Sequence, residues 1–142
     1  MTITKNIKFD CAHMLSNYQG KCANLHGHTY HGSVRIEGHT NSKTHMICDY
    51  NDIKNVVDMF DHSLIFSASS QRNKAENELY EWADSNNMRM YVMPEEFPKT
   101  TAECMSEVIA RTIYNLHPEG NNWTVTVVLS ETDGSFAEAR YV

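Results

Sequence analysis

Alternating apolar and polar residues predict four β-strands, two near each end of the chain. The predicted strands cover residues 3–13, 26–38, 123–130 and 136–142. Successive side chains of a strand point to opposite faces of a sheet, so a repeat of two gives each strand one apolar face. A turn at Asp133-Gly134 joins the last two strands and favours a hairpin there.

Apolar residues spaced three and four positions apart predict helices in the middle of the chain. The predicted helices cover residues 51–60, 75–83 and 100–116. Asp49 or Asn51 is suited to cap the first helix, and Pro118 with Gly120 is expected to end the last one. Residues 46–50 and 89–93 have the composition of short extended segments.

The order of the main elements is strand, strand, helix, helix, strand, strand (ββααββ). This order predicts an α+β fold, in which an antiparallel four-stranded sheet carries helices on one face. A chain of 142 residues is long enough for one sizeable core, and we expect a single domain over residues 1–142.

The composition limits the binding partners and the cellular compartment that we expect for this protein. The net charge of −6 argues against nucleic acid as a direct partner and against a membrane surface, which both attract basic proteins. No apolar run is long enough to span a membrane. The four cysteines form no CxxC motif and the N-terminus lacks an apolar signal segment, so we expect reduced thiols and a cytoplasmic protein.

Three histidines continue the apolar faces of the first two strands. His13 shares the parity of the first strand's apolar residues, and His26 and His28 share that of the second. A buried imidazole needs a partner for each ring nitrogen, and one metal ion can serve three rings. Three imidazoles with a fourth position free are typical of a catalytic Zn²⁺, although iron, nickel and copper also accept these ligands.

Cys22 ends the polar loop between the first two strands, and three roles suit it. It is a buried apolar residue, a fourth ligand that closes the zinc site, or a free thiolate acting as base or nucleophile beside the cation. Its position in a long polar loop favours the thiolate. Asp61 and His62 directly follow a helical stripe, so they are either a solvated helix end or a proton-relay pair.

Two acidic positions raise a similar choice between structure and binding. Glu131 continues the parity of the apolar residues before it, and a carboxylate on that face either reaches solvent or accepts two N–H groups of a ligand. Glu103 lies three residues after Thr100, a spacing typical of a capping box. Thr101 and Glu103 are therefore a helix cap, a part of a binding pocket, or both.

The motifs fall in one order along nearly the whole chain. They are Phe9-x-x-Ala12-His13, Cys22-x-x-x-His26-Gly27-His28-x-Tyr30, Asp61-His62, Thr101-x-Glu103 and Glu131-Thr132. Together they resemble the 6-pyruvoyl-tetrahydropterin synthase superfamily. The three residues between Cys22 and His26 are similar to its 6-carboxy-5,6,7,8-tetrahydropterin synthase branch, because the pyruvoyl branch has a longer gap.

The resemblance implies a tunnelling fold (T-fold) whose subunits join their sheets into a barrel, commonly as a homohexamer. It implies Zn²⁺ on His13, His26 and His28. The implied substrate is 7,8-dihydroneopterin triphosphate, converted to the 6-carboxy product with release of triphosphate and acetaldehyde, in queuosine and other 7-deazapurine biosynthesis.

The resemblance also implies a role for each remaining motif residue. Cys22 is the general base, Asp61 and His62 are its proton-relay partners, and Glu131 anchors the pterin ring. Thr101 and Glu103 belong to the pterin pocket.

Three other functions stay open on the sequence. One is a zinc-stabilised binding module without catalysis. Another is a hydrolase that uses a zinc-bound hydroxide, which gives Cys22 and Glu131 no task. The third is the pyruvoyl reaction, in which triphosphate is eliminated without carbon–carbon cleavage.

Overall fold

The chain folds into one mixed β-sheet with three α-helices, in a computed structural model that describes residues 1–117 and 122–142. In chain order the elements are β1 (Thr2–His13), β2 (His26–Glu37), α1 (Tyr50–Asp58), β3 (Ser63–Phe66), α2 (Lys74–Ser85), β4 (Met90–Val92), α3 (Ala102–Asn115), β5 (Thr124–Thr132) and β6 (Ser135–Tyr141). Short 3₁₀ turns lie at Lys21–Ala23 and Ser69–Gln71.

The sheet has six strands in the order β4-β3-β1-β2-β5-β6. The four long strands pair antiparallel, but β3 runs parallel to β1 and β4 runs parallel to β3. The prediction of a four-stranded antiparallel sheet with the order ββααββ is therefore wrong. The segment Ser63–Phe66 was not predicted as a strand because it is short and almost wholly buried, so apolar and polar residues do not alternate along it. Helix α2 provides the crossover that a parallel β3–β4 pair requires.

The helices begin at polar caps and bury one stripe each. Asp49 caps α1 by accepting a hydrogen bond from the Asn51 amide at 2.8 Å, as the sequence suggested. Thr101 caps α3 by accepting from the Cys104 amide. The predicted capping box on Thr100 is wrong, because Thr100 is buried and its hydroxyl donates to the Met14 carbonyl at 3.1 Å.

Helix α3 ends at Asn115, one residue before the predicted end, and the Leu116 that follows is exposed. The predicted stop signals Pro118 and Gly120 lie outside the described residues. No helix in the described ranges is long and apolar enough to cross a membrane.

The core lies between one face of the sheet and helices α1 and α3. It consists of the same-parity residues of β1, β2 and β5 together with the helix stripes, including Phe9, Tyr30, Val34, Val57, Ile109, Val127 and Leu129. Burying a side chain of this size contributes about 1.5–3 kcal/mol. The three predicted histidine ligands extend this same face beyond the apolar core, at the ends of β1 and β2.

Candidate functional site

Three imidazoles meet where β1 and β2 pair. In the antiparallel register His13 lies opposite His26, and Cys11 lies opposite His28. The ring centroids of His13 and His26 are 4.7 Å apart, and those of His26 and His28 are also 4.7 Å apart. The Nε2 atoms of all three rings are buried and have no hydrogen-bond partner among the described residues. Three buried nitrogens left without partners are what a metal ion would satisfy.

Backbone carbonyls orient two of these rings. His13 Nδ1 lies 2.6 Å from the Thr100 carbonyl oxygen, and His26 Nδ1 lies 2.7 Å from that of Asn24. A carbonyl only accepts, so each Nδ1 carries the proton and each Nε2 presents its lone pair inward. Burial lowers the pKa of His13 and thereby favours the neutral ring that binds metals.

Glu131 completes the cluster from β5. Its Oε1 lies 3.4 Å from His13 Nε2 and 3.3 Å from His28 Nε2, and it accepts a hydrogen bond from the Tyr30 hydroxyl at 2.9 Å. Burial, with the charge of Glu131 as a second cause, raises the pKa of Tyr30 and keeps its hydroxyl a donor. The β5–β6 register shifts between Leu129 and Thr132, and such irregularities often re-aim a side chain.

The donor atoms of His13, His26, His28 and Glu131 all lie within 4.8 Å of one another. Three neutral imidazoles and a carboxylate oxygen fit Zn²⁺ and related transition metals. The predicted ligand residues therefore lie together in one chain and suit the metal that the sequence suggested.

A cavity of about 310 Å³ opens beside this cluster. Its lining includes His13 and Glu131 together with Cys22, Thr101 and Glu103. Cys22 is half-buried on the 3₁₀ turn of the loop after β1, and its thiol does not belong to the close group of candidate ligand atoms. One chain thus brings together the predicted metal ligands, the predicted base and the three predicted pocket residues.

Asp61 and His62 form a separate cluster with Asp10. Asp61 accepts a hydrogen bond from the Asp10 amide at 2.9 Å, and its other oxygen lies 2.9 Å from His62 Nδ1. The Asp10 amide is the main cause that lowers the pKa of Asp61, with His62 adding to it. His62 has a left-handed backbone (φ 56°), an uncommon conformation for a residue other than glycine.

This second cluster lies on the other face of the sheet from the histidine cluster. The side chain of Asp10 alternates with those of Phe9 and Cys11, which face the core, and its carboxylate accepts from Thr29. An open cavity of about 580 Å³ on this side is lined by His62, Leu64 and Arg89, and Cys22 is not part of it. A single chain therefore does not bring Asp61 and His62 to Cys22.

Two residues that orient the site received no role from the sequence, although Tyr30 belongs to one of the motifs. Tyr30 donates a hydrogen bond to Glu131. Its parity in the second strand predicts the same sheet face as His26 and His28. The β2–β5 register that brings it to Glu131 is not visible in the sequence. Thr100 orients His13 through its carbonyl group, which no side-chain pattern reveals.

Burial makes two of the cysteines poor nucleophiles. It raises the pKa of Cys11 to about 12 and that of Cys48 to about 11, with nearby carboxylates adding to both shifts. At pH 8 the fraction of side chains in the reactive thiolate form is then roughly 10⁻⁴ for Cys11 and roughly 10⁻³ for Cys48.

We expect iodoacetamide to modify Cys22 before Cys11 or Cys48 in the folded protein. Peptide mapping by mass spectrometry checks this, and earlier modification of Cys11 or Cys48 would contradict it.

Comparison with known proteins gives a consistent result along the chain. The sequence profile of the family described as 6-pyruvoyl tetrahydropterin synthase matches residues 2–141. The chain is 34% identical over 145 residues to a 6-carboxy-5,6,7,8-tetrahydropterin synthase of Haemophilus influenzae, covering 96% of each protein. It is 30% identical to the protein of that name from Rickettsia felis, covering 95% of this chain and 96% of that one.

The fold also has counterparts among solved structures. The crystal structure of 6-pyruvoyl tetrahydropterin synthase from Plasmodium vivax superposes with a TM-score of 0.61 and 16% sequence identity. The superposition covers 99% of this chain and 98% of that one. At 16% identity this similarity supports a shared fold and nothing more specific.

Proposed function

This chain belongs to the 6-pyruvoyl tetrahydropterin synthase family, and from that premise we propose that it acts as a 6-carboxy-5,6,7,8-tetrahydropterin synthase. It is an enzyme of the lyase class, as its relatives are. The proposed reaction converts 7,8-dihydroneopterin triphosphate and one water molecule into 6-carboxy-5,6,7,8-tetrahydropterin, acetaldehyde and triphosphate. The product would enter 7-deazapurine (queuosine-type) biosynthesis.

The observation that carries this proposal is the convergence of three partnerless imidazole nitrogens beside Glu131 and Cys22. His13, His26 and His28 would hold a Zn²⁺, with ring orientations set by the Thr100 and Asn24 carbonyls. When bound, this ion supplies Lewis acidity that polarises the oxygen atoms of a substrate side chain. The remaining work falls to the residues of the chain.

Cys22 is the proposed general base. It lines the same cavity as His13 and Glu131 and lies outside the group of ligand atoms, so in its thiolate form the sulfur is available to take a proton from the substrate side chain. A base in this cavity acts on a bound substrate that is already oriented, which removes much of the entropic cost of the encounter.

Glu131, Thr101 and Glu103 are the proposed pterin contacts. The carboxylate of Glu131 has one oxygen bound by Tyr30 and remains about one-third exposed toward the cavity. A pterin offers two adjacent N–H donors, on N3 and the 2-amino group, and a carboxylate can accept both. Thr101 and Glu103 begin α3 at the cavity wall, where the helix cap holds their backbone in place.

Asp61 and His62 are the proposed proton relay, and they would serve the cavity of a second copy of the chain. Asp61 is held by the Asp10 amide, and the left-handed backbone at His62 is maintained by a 2.6 Å hydrogen bond from its amide to the Asp10 carbonyl. Strained conformations of this kind concentrate at functional sites. A homo-oligomer, which we propose to be a hexamer, provides the second copy.

The four free cysteines suit a reducing cytoplasm, which we propose as the location.

The pyruvoyl reaction is the second candidate, because the family profile and the Plasmodium vivax structure have that name. The two reactions share substrate and triphosphate release and differ in carbon–carbon cleavage. Mass spectrometry of the products from 7,8-dihydroneopterin triphosphate separates them. We expect the 6-carboxy product and one acetaldehyde per turnover, with no product in reactions without protein. A 6-pyruvoyl product without acetaldehyde would contradict the carboxy assignment.

A further inference from the structure

Helix α2 contains a carboxylate in an unusual environment. The Glu76 side chain is completely buried, and no salt bridge of the described residues involves it. Burying a carboxylate without a cation is costly unless hydrogen bonds replace the lost water. Two groups outside helix α2 do so. The Ser67 amide donates to Oε1 at 2.6 Å, and the Ser16 hydroxyl donates to Oε2.

The start of α2 has the pattern of a capping box with one partner exchanged. Asn73 caps the helix by accepting from the Glu76 amide at 2.9 Å, as the residue three positions before it should. In a standard box the Glu76 carboxylate would accept the Asn73 amide proton in return. Here the Asn73 amide donates to the Ser16 hydroxyl oxygen at 3.0 Å, and that hydroxyl donates onward to Glu76. The loop after β1 therefore supplies the atom that closes the helix cap.

Ser16 belongs to the loop that also contains Cys22. Its neighbour Leu15 donates its amide proton to the Cys22 carbonyl at 2.9 Å, across the base of this loop. The residue before that, Met14, accepts from the Thr100 hydroxyl. Gly20 has φ 135°, which favours glycine, and it leads into the 3₁₀ turn that contains Cys22. The backbone of Cys22 is thus bonded to Leu15, whose neighbour Ser16 bonds to Glu76, and Asn17 adds a longer hydrogen bond to the Gln71 carbonyl at 3.5 Å.

We propose that Ser16 and Glu76 are positioning residues for Cys22, and that α2 serves the active site by clamping the loop through this pair. The proposal rests on the proposed function of Cys22 as the base. It gives a role to residues 74–85, which contribute no side chain to the metal cluster or to the cavity beside it. Losing the clamp displaces the thiol relative to a bound substrate, and a displacement near 1 Å can lower the rate of a chemical step by about 10²-fold.

The test compares Ser16→Ala with Ser67→Ala in the zinc-loaded protein. Ser67 is fully buried beside the same carboxylate, but its hydroxyl has no hydrogen-bond partner within the described ranges and its amide survives the substitution. Both variants remove one buried hydroxyl, and only Ser16→Ala breaks the clamp.

For Ser16→Ala we expect kcat to fall about tenfold or more while KM stays within twofold, because Glu131 still holds the pterin. We expect amide exchange in residues 17–24 to quicken about tenfold, and alkylation of Cys22 to change in rate. For Ser67→Ala we expect kcat, exchange and alkylation within twofold of the parent. Unchanged kcat with unchanged loop exchange in Ser16→Ala would overturn the proposal, and so would equal effects of both substitutions.

Exchange and alkylation keep this test separate from the proposed function, since neither needs a substrate. A parent protein without activity on the pterin triphosphate, but with a loop released by Ser16→Ala, refutes the function and leaves the clamp supported. If Ser16→Ala fails to fold, Glu76→Gln preserves the side-chain volume and the contact to the Ser67 amide. That variant removes the charged acceptor of the Ser16 hydroxyl, so we expect the same fall in kcat and the same faster amide exchange. Parent values of kcat and exchange in Glu76→Gln would overturn the proposed clamp.

Discussion

Replacing Cys22 by alanine should lower kcat about 10³-fold while the metal content stays at its parent value. General bases contribute about 10²–10⁴-fold to a rate, and Cys22 is the titratable thiol in the cavity beside the histidine cluster. Its thiol does not belong to the group of donor atoms that lie within 4.8 Å of one another, so we expect its removal to leave the metal ligands intact. Product formation by mass spectrometry and metal content by inductively coupled plasma measurement check the two halves of this expectation.

The matched control is Cys48→Ala. The thiol of Cys48 is half-buried and lines neither cavity. We expect the kcat of this variant within twofold of the parent. Loss of the metal from Cys22→Ala would instead identify the thiol as a fourth ligand and the site as structural. Product formation by Cys22→Ala at the parent rate would contradict the role of Cys22 as the general base.

The residues of the candidate metal site could be predicted because they depend on one strand pair. The alternation in β1 and β2 predicts a shared face for His13, His26 and His28, and an antiparallel hairpin of two long strands brings their ends together. The partnerless Nε2 atoms agree with the metal that this pattern suggested. Local periodicity and one hairpin were sufficient for this part of the molecule.

The sheet beyond these strands depends on contacts that local periodicity does not encode. Strand β3 is four residues long and finds its place through parallel pairing with β1, more than fifty positions earlier in the chain. The carbonyl of Thr100 and the hydroxyl of Tyr30 act on the site for similarly non-local reasons. The clamp of Ser16 on Glu76 joins residues sixty positions apart. Each of these contacts requires knowledge of which segments become neighbours.

Asp61 and His62 illustrate a different limit. The sequence indicates that they follow a helix, but it does not indicate which face of the sheet they reach. The structure places them beside Asp10, on the face opposite the core. Chemistry that used them together with Cys22 would therefore require a second copy of the chain, and the pattern within one chain does not contain such a contact.

Replacing Glu131 by glutamine should raise KM for the pterin triphosphate about 10²-fold and leave the metal content unchanged. The carboxylate can accept two N–H groups from the pterin edge, whereas the glutamine amide offers one acceptor and turns a donor toward the other N–H group. Hydrogen bonds to a charged group are worth about 1.5–3 kcal/mol each, and a loss of about 3 kcal/mol corresponds to about 10²-fold in affinity. Steady-state kinetics with product detection measures the change.

The metal content decides between two roles of Glu131, because its Oε1 lies 3.3–3.4 Å from the Nε2 atoms of His28 and His13. An anchor for the pterin leaves metal affinity within twofold in Glu131→Gln, because the three imidazoles remain. A fourth ligand would weaken metal binding at least tenfold, since losing a ligand or its close support commonly costs 10–100-fold. The exposed Glu138 on β6 supplies the control, and Glu138→Gln is expected to change neither KM nor metal affinity by more than twofold. Weakened metal binding in Glu131→Gln would identify Glu131 as a metal ligand and would contradict its role as the pterin anchor.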